Sequence, residues 1–121
     1  MLGRRSGRDS LGIFNENPGT AAVVKADAVI TDGDRIAVAV RYDPATMTAP
    51  IVVAKGSGRF AIRIRELATE NDVPLVDRPE LAQRLSRDVA INSVVTQAMY
   101  ADVAALLAEV FQAAGKTLAD A

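Results

Sequence analysis

One run of seven residues, Ile36-Ala37-Val38-Ala39-Val40-Arg41-Tyr42, constrains the fold of this chain more than any other feature. Its side chains alternate in size and polarity with a repeat of two. That is a strand repeat, because successive residues of extended chain point to opposite faces. Ile36, Val38, Val40 and Tyr42 share one face, and Ala37, Ala39 and Arg41 share the other. Small side chains on the alanine face let a helix pack close to the sheet.

The flanking signals alternate between strand and helix. Ala28 to Thr31 is a β-prone run ending in Asp32-Gly33, a pair suited to a tight hairpin with positive φ. A looser loop is the alternative, because Asp34-Arg35 lengthen the connection. Asp43-Pro44 stops the second strand, and a polar loop runs through Thr48. Ile51 to Ala54 reads as a third strand, closed by Lys55-Gly56-Ser57-Gly58. Phe60, Ile64, Leu67 and Ala68 then fall on one stripe of a helix over 59–71. Val73 to Val76 reads as a brief fourth strand, and strand-helix-strand order implies a right-handed crossover between parallel strands. Asp77-Arg78-Pro79-Glu80 is a helix start, with Asp77 as cap, Glu80 three residues on and Pro79 in the first turn. That helix runs to about Arg87, and Val89 to Asn92 reads as extended. The last helix, Thr96 to Ala114, carries two adjacent apolar stripes. One holds Met99, Val103, Leu106 and Val110, the other Ala104, Leu107 and Phe111, and Gly115 is the natural C-cap.

The expected fold class is α/β, a small four-stranded mixed sheet flanked by three helices. Residues 1–24 mix Gly, Ser, Arg and Asn without period and include the turn signal Asn17-Pro18-Gly19, so they read as a flexible lead-in or linker. Residues 25–115 form the domain, and 116–121 a C-terminal tail.

Composition removes most enzymatic chemistry. The 121 residues suffice for one core and include no Cys and no His, which excludes thiolate nucleophiles, disulfides, His-based zinc sites and Ser-His-Asp catalysis. No metal or other cofactor is expected. A net charge of −1 provides no field favouring nucleic acid. No apolar run is long enough to span a bilayer. Arg4, Arg5 and Arg8 are followed by no apolar segment of the secretory type, and three charges hold a membrane surface only weakly. Cytoplasm is the expected compartment.

Three segments are candidates for function. Thr31-Asp32-Gly33-Asp34-Arg35 gathers two carboxylates and a guanidinium, yet lacks the ligand spacing of a calcium loop and is explained by the needs of a turn. Lys55-Gly56-Ser57-Gly58 lacks both the Walker order and the dinucleotide glycine spacing, and a strand-to-helix turn needs glycine anyway. Ala49-Pro50 and the stripe Ala104, Leu107, Phe111 are either core or a shallow apolar dent that receives a short peptide.

Ordered local matches then accumulate. Lys25 to Thr31, Ala37 to Pro44, Met47-Thr48-Ala49-Pro50-Ile51-Val52-Val53-Ala54-Lys55-Gly56, Ala61-Ile62-Arg63-Ile64-Arg65-Glu66, Val73 to Val76, Pro79 to Leu85 and Tyr100 to Val110 together resemble the cytoplasmic domain of the FlhB/YscU family. These are export-gate switch proteins of flagellar and virulence type III secretion systems. The resemblance spans about residues 25–112 and implies the export-switch cytoplasmic domain fold. It also implies an Asn-Pro-Thr-His loop between the first two strands. There the Asn side-chain amide attacks its own main-chain carbonyl, closes a succinimide and releases the chain at the Pro. The matching positions here are Asp32, Gly33, Asp34 and Arg35, and all four differ. A carboxylate has no amide nitrogen to close that ring, so the chain is expected not to self-cleave and not to act as an enzyme. Asn17-Pro18 lacks the following Thr-His and is not expected to replace the motif.

The same resemblance implies docking of early-class export substrates (rod and hook or needle proteins) on an apolar patch matching Ala49, Pro50, Ala104 and Leu107. Ala104→Asp or Leu107→Asp is expected to weaken that docking without unfolding the domain. A ruler-type switch protein and export-gate components are the other implied partners, with no nucleic acid. Family members carry membrane helices ahead of this domain, which places it at the cytoplasmic face of the inner membrane, with membrane contact only through such a parent segment. A stand-alone scaffold or regulatory paralogue is the competing reading, and an autoprotease with a non-standard loop is another.

Overall fold

The computed structural model describes residues 18–114. Its sheet has four strands: β1 (Ala28–Asp32), β2 (Ile36–Arg41), β3 (Ile51–Ser57) and β4 (Leu75–Asp77). They lie in the order β3-β2-β1-β4, with β1 antiparallel to β2, β2 antiparallel to β3, and β4 parallel to β1. Three helices, α1 (Arg59–Glu70), α2 (Pro79–Asp88) and α3 (Gln97–Ala113), cover the sheet. The mixed four-stranded class is as the sequence indicates.

The alternation in β2 sorts the core into two halves. Val38 and Val40 join Ile30, Val52, Leu81, Leu85, Met99, Val103 and Leu107 beneath α2 and α3. Ala37 and Ala39 join Val29, Ala54, Ala61, Ile64 and Ala68 beneath α1. This alanine-rich layer is what lets α1 sit close to the strands. Every residue of β1 is buried because helices cover both faces of that strand. A bulge at Ala39/Val40 pairs Ala39 with Ala54 but Val40 with Val52. It leaves Val53 and Ala54, though consecutive, both on the α1 side. Gly56 follows from the same closeness, since a Cβ there would lie 2.6 Å from Phe60 Cβ.

Several expectations need correction. Pro18–Lys25 is a 3₁₀ helix that buries Val23 among the α1-side residues, so the described fold begins seven residues before Lys25. Asn17, the remainder of the lead-in, Gly115 and the 116–121 tail lie outside the described residues. The fourth strand starts at Leu75, not Val73. Val73 instead closes α1, donating its N–H to Ala68 O (2.8 Å) after Asp72 turns to φ 58°. Residues 89–92 do not form a strand: Asn92 takes φ 70°, a conformation Asn tolerates, and makes a turn. Pairing with β3 begins at that turn, with Asn92 N–H donating to Val52 O, and continues through Ser93 O accepting from Val52 N, Val94 opposite Ile51, and Pro50 O accepting from Val95 N. Asp77 does not cap α2. Arg78 occupies the cap position with no side-chain bond, and the Asp77 carboxylate is engaged elsewhere.

Candidate functional site

The β1–β2 connection is a three-residue loop, Gly33 to Arg35, between the paired Asp32 and Ile36, so Asp34-Arg35 lengthen it beyond the two-residue hairpin. Arg35 N–H donates to Asp32 O (2.9 Å), and Gly33 has φ 53°. Among the described residues the non-glycine positive φ values are at Asp72 and Asn92, so Asp34 keeps negative φ. Proline fixes φ near −65° and has no N–H, so Gly33 holds a backbone that Pro cannot adopt.

Side chains from three further elements latch this turn. From the end of β4, Asp77 Oδ1 accepts from Gly33 N–H and from Thr31 Oγ1, both at 2.9 Å. From α2, Gln83 Nε2 donates to Asp32 Oδ2 (2.8 Å), while Arg35 Nη2 pairs with Asp32 Oδ1 (3.0 Å). From α1, Arg65 Nη1 donates to Gly33 O (3.1 Å) and its Nε lies 3.5 Å from Asp34 Oδ1. Gly58 N–H, at the head of α1, donates to Arg35 O (3.1 Å). Asp32 is only 4% exposed, yet both carboxylate oxygens have donors. The Gln83 amide first, and then Arg35, hold its carboxyl below the ordinary aspartate value. Asp77 is likewise lowered, chiefly by the Gly33 N–H and next by Thr31. The sequence marked Asp32 to Arg35 as a turn but gave no sign of Arg65, Asp77 or Gln83 as its supports. Asp77 carried a signal, misread as a helix cap.

Lys55, set aside with the glycine-rich turn, has a structural task. Its Nζ crosses to α2 and donates to Ser86 O (2.8 Å) and Val89 O (2.9 Å), satisfying carbonyls at that helix end.

The apolar candidates divide. Leu107 is fully buried and Phe111 is 5% exposed, so the second stripe of α3 is mostly core. Leu107→Asp would place a charge inside the domain, and the expectation that it leaves the fold intact is withdrawn. Pro50 is buried too, while Ala49 and Ala104 are half-buried. Pro50 is tied to the approach to α3 by its carbonyl bond from Val95. Two exposed residues that sequence reasoning missed lie beside these positions: Val94 (54% exposed), opposite Ile51 in the strand pairing, and Tyr100 (38%), one helical turn before Ala104. The pKa of Tyr42 is raised, by burial first and by the neighbouring Tyr100 second. A separate groove of about 530 Å³ runs between α2 and α3 over Leu81 and Leu106, spanned by Arg78–Glu109 (3.7 Å) and Arg84–Asp102 (3.8 Å). None of the four sequence-derived patch residues lines it. Among the described residues no group of three or more acidic, His or Cys side chains could hold a metal, and no helix is long and apolar enough to cross a membrane.

The chain belongs to the FlhB HrpN YscU SpaS family, whose model matches residues 13–110. The flagellar biosynthetic protein FlhB of Escherichia coli (strain K12) is 45% identical over 92 residues, 76% of this chain and 24% of that protein. FlhB of Bacillus subtilis (strain 168) is 39% identical over 90 residues, 74% of this chain and 25% of that protein. The chain thus spans about a quarter of the length of these relatives. The crystal structure of the cytoplasmic domain of FlhB from Shewanella putrefaciens aligns with a TM-score of 0.74 at 35% identity, covering 78% of this chain and 72% of that one. The EscU C-terminal domain carrying an asparagine-to-aspartate mutation shares the fold at a TM-score of 0.74 and 22% identity, over 84% of this chain and 93% of that one.

Proposed function

We propose that this chain is the substrate-recognition and specificity-switch module of a type III export apparatus, flagellar or virulence-type, and that it works uncut. It acts at the cytoplasmic face of the inner membrane, with export-gate components and a ruler-type switch protein as partners. The observation that carries the uncut state is Asp32. A carboxylate stands where cleaving relatives place the attacking amide, and both its oxygens already accept hydrogen bonds. Gly33 supports the same reading, since its backbone conformation is closed to the proline that follows the attacking residue in those relatives.

Recognition of early-class substrates is assigned to the surface around Ala49, Pro50 and Ala104, enlarged by Val94 and Tyr100, with Leu107 supporting it from the core. A few apolar contacts on a shallow surface give weak, reversible capture, which suits a cargo in transit. Two measurements on the full chain test the proposal. Intact mass after days at neutral pH is expected to show one species, and two fragments split after Asp32 would overturn the uncut state. NMR titration with early-class rod, hook or needle segments is expected to shift Ala49, Val94 and Ala104. The same shifts elsewhere, or identical binding by Ala104→Asp, would overturn the patch.

A further inference from the structure

Asp32-Gly33 is the chain's one Asp-Gly pair, and no Asn-Gly occurs. Glycine leaves its own nitrogen unhindered, so such a pair is the link most open to attack by a main-chain nitrogen on the preceding side chain. In that reaction Gly33 N bonds to Asp32 Cγ in the neutral acid form. The nitrogen gives up its proton, the carboxyl gives up its hydroxyl, and one water leaves as the five-membered imide closes. One water then adds back. Addition at Cγ restores aspartate. Addition at the main-chain carbonyl breaks that carbon's bond to Gly33 N and leaves an isoaspartyl link, with the backbone running through Cγ. No bond of net chain continuity is lost, and the mass is unchanged.

The turn opposes each part of this sequence. The nitrogen that must attack donates its proton to Asp77 Oδ1 at 2.9 Å. The carboxyl that must be attacked is held by Gln83 and Arg35 in a nearly closed site, and the ionised form they favour is a poor electrophile. The peptides on either side of Gly33 are each pinned at the carbonyl, Asp32 O by Arg35 N–H and Gly33 O by Arg65. We propose that Asp32-Gly33 is a latent isoaspartyl modification site, kept unmodified by Asp77 and Gln83 as guarding residues, so that it is converted only when the turn unlatches. Conversion adds one carbon to the main chain at the Asp32–Ile36 pair and draws the carboxylate away from Gln83. A transient opening would thereby become a lasting change in the hairpin.

The test incubates the full chain, its Asp77→Ala, Asp77→Asn and Gln83→Leu variants, and a free peptide of residues 29–38 at neutral pH. Isoaspartate at position 32 is measured by methyltransferase labelling and peptide mapping, and folding is followed by circular dichroism. The intact chain is expected to convert far more slowly than the peptide. Asp77→Ala is expected to convert on the order of tenfold faster than the intact chain, the effect of losing one charge-assisted hydrogen bond. Asp77→Asn, which keeps an acceptor oxygen, is expected to stay near the intact chain. Conversion of the intact chain at the peptide's rate would overturn the proposal, as would a folded Asp77→Ala that converts no faster. If Asp77→Ala fails to fold, Gln83→Leu takes its place under the same criterion.

Discussion

The β1–β2 turn and the surface around Ala104 are built on opposite principles. The turn is polar and held by directional bonds from three other elements. The surface is apolar and graded in depth, with Pro50 and Leu107 buried, Ala49 and Ala104 half-buried, and Val94 and Tyr100 exposed. Apolar packing of this kind reports the fold, whereas a turn held by side chains from three other elements has its conformation fixed by bonds that no single segment supplies.

Substitutions can sharpen or break that contrast, and the largest effect is expected at Leu107. Leu107→Ala should lose about 2–5 kcal/mol of stability in chemical denaturation, since its side chain is fully buried. Leu107→Asp should leave the domain unfolded. If either melts like the parent chain, the core assignment of the second α3 stripe fails. Gly56→Ala comes next. Its Cβ would meet Phe60 Cβ at 2.6 Å, and forcing α1 off the sheet should cost about 1–3 kcal/mol. Lys55→Met should cost about 1–2 kcal/mol, with faster amide exchange confined to the last turn of α2.

Acid should separate the two regions without mutation. Asp32 and Asp77 have carboxyl pKa values below the ordinary 3.8 in the fold. Their stabilising contribution is therefore complete above that value and lost as pH falls below it toward the folded-state values. NMR between pH 6 and pH 2 is expected to show the 31–35 resonances moving below pH 4. Movement already complete at pH 5 would contradict the bonding described at the turn. The smallest effect on stability is expected for Ala104→Asp, at a half-buried helix position. Its melting midpoint should change little while capture of early-class substrates falls.

The fold was largely legible because its strongest signals are periodic. The Ile36 to Tyr42 alternation alone assigns residues to the two core halves, and the stripe Phe60, Ile64, Leu67, Ala68 places α1. Legibility failed where one residue chooses between two partners. Asp77 could bond forward to its own helix or across to Gly33, and local spacing favours the first while the sheet register imposes the second. Val73 and Asn92 were misread for a related reason, since each completes a turn whose partner lies outside its own segment. The patch was legible as a set of apolar residues but not as a surface. Helical spacing shows which side chains share a stripe, while only packing shows that Leu107 faces the sheet and Tyr100 does not.

The antiparallel register sets Ser57 beside Ile36 and Ile51 beside Arg41. The hairpin tip and the residues leading into β3 therefore occupy opposite poles of the domain, roughly 20 Å apart along a six-residue strand. A contact made at one pole leaves the other bare, and any influence of one end on the other must run through the strands between them.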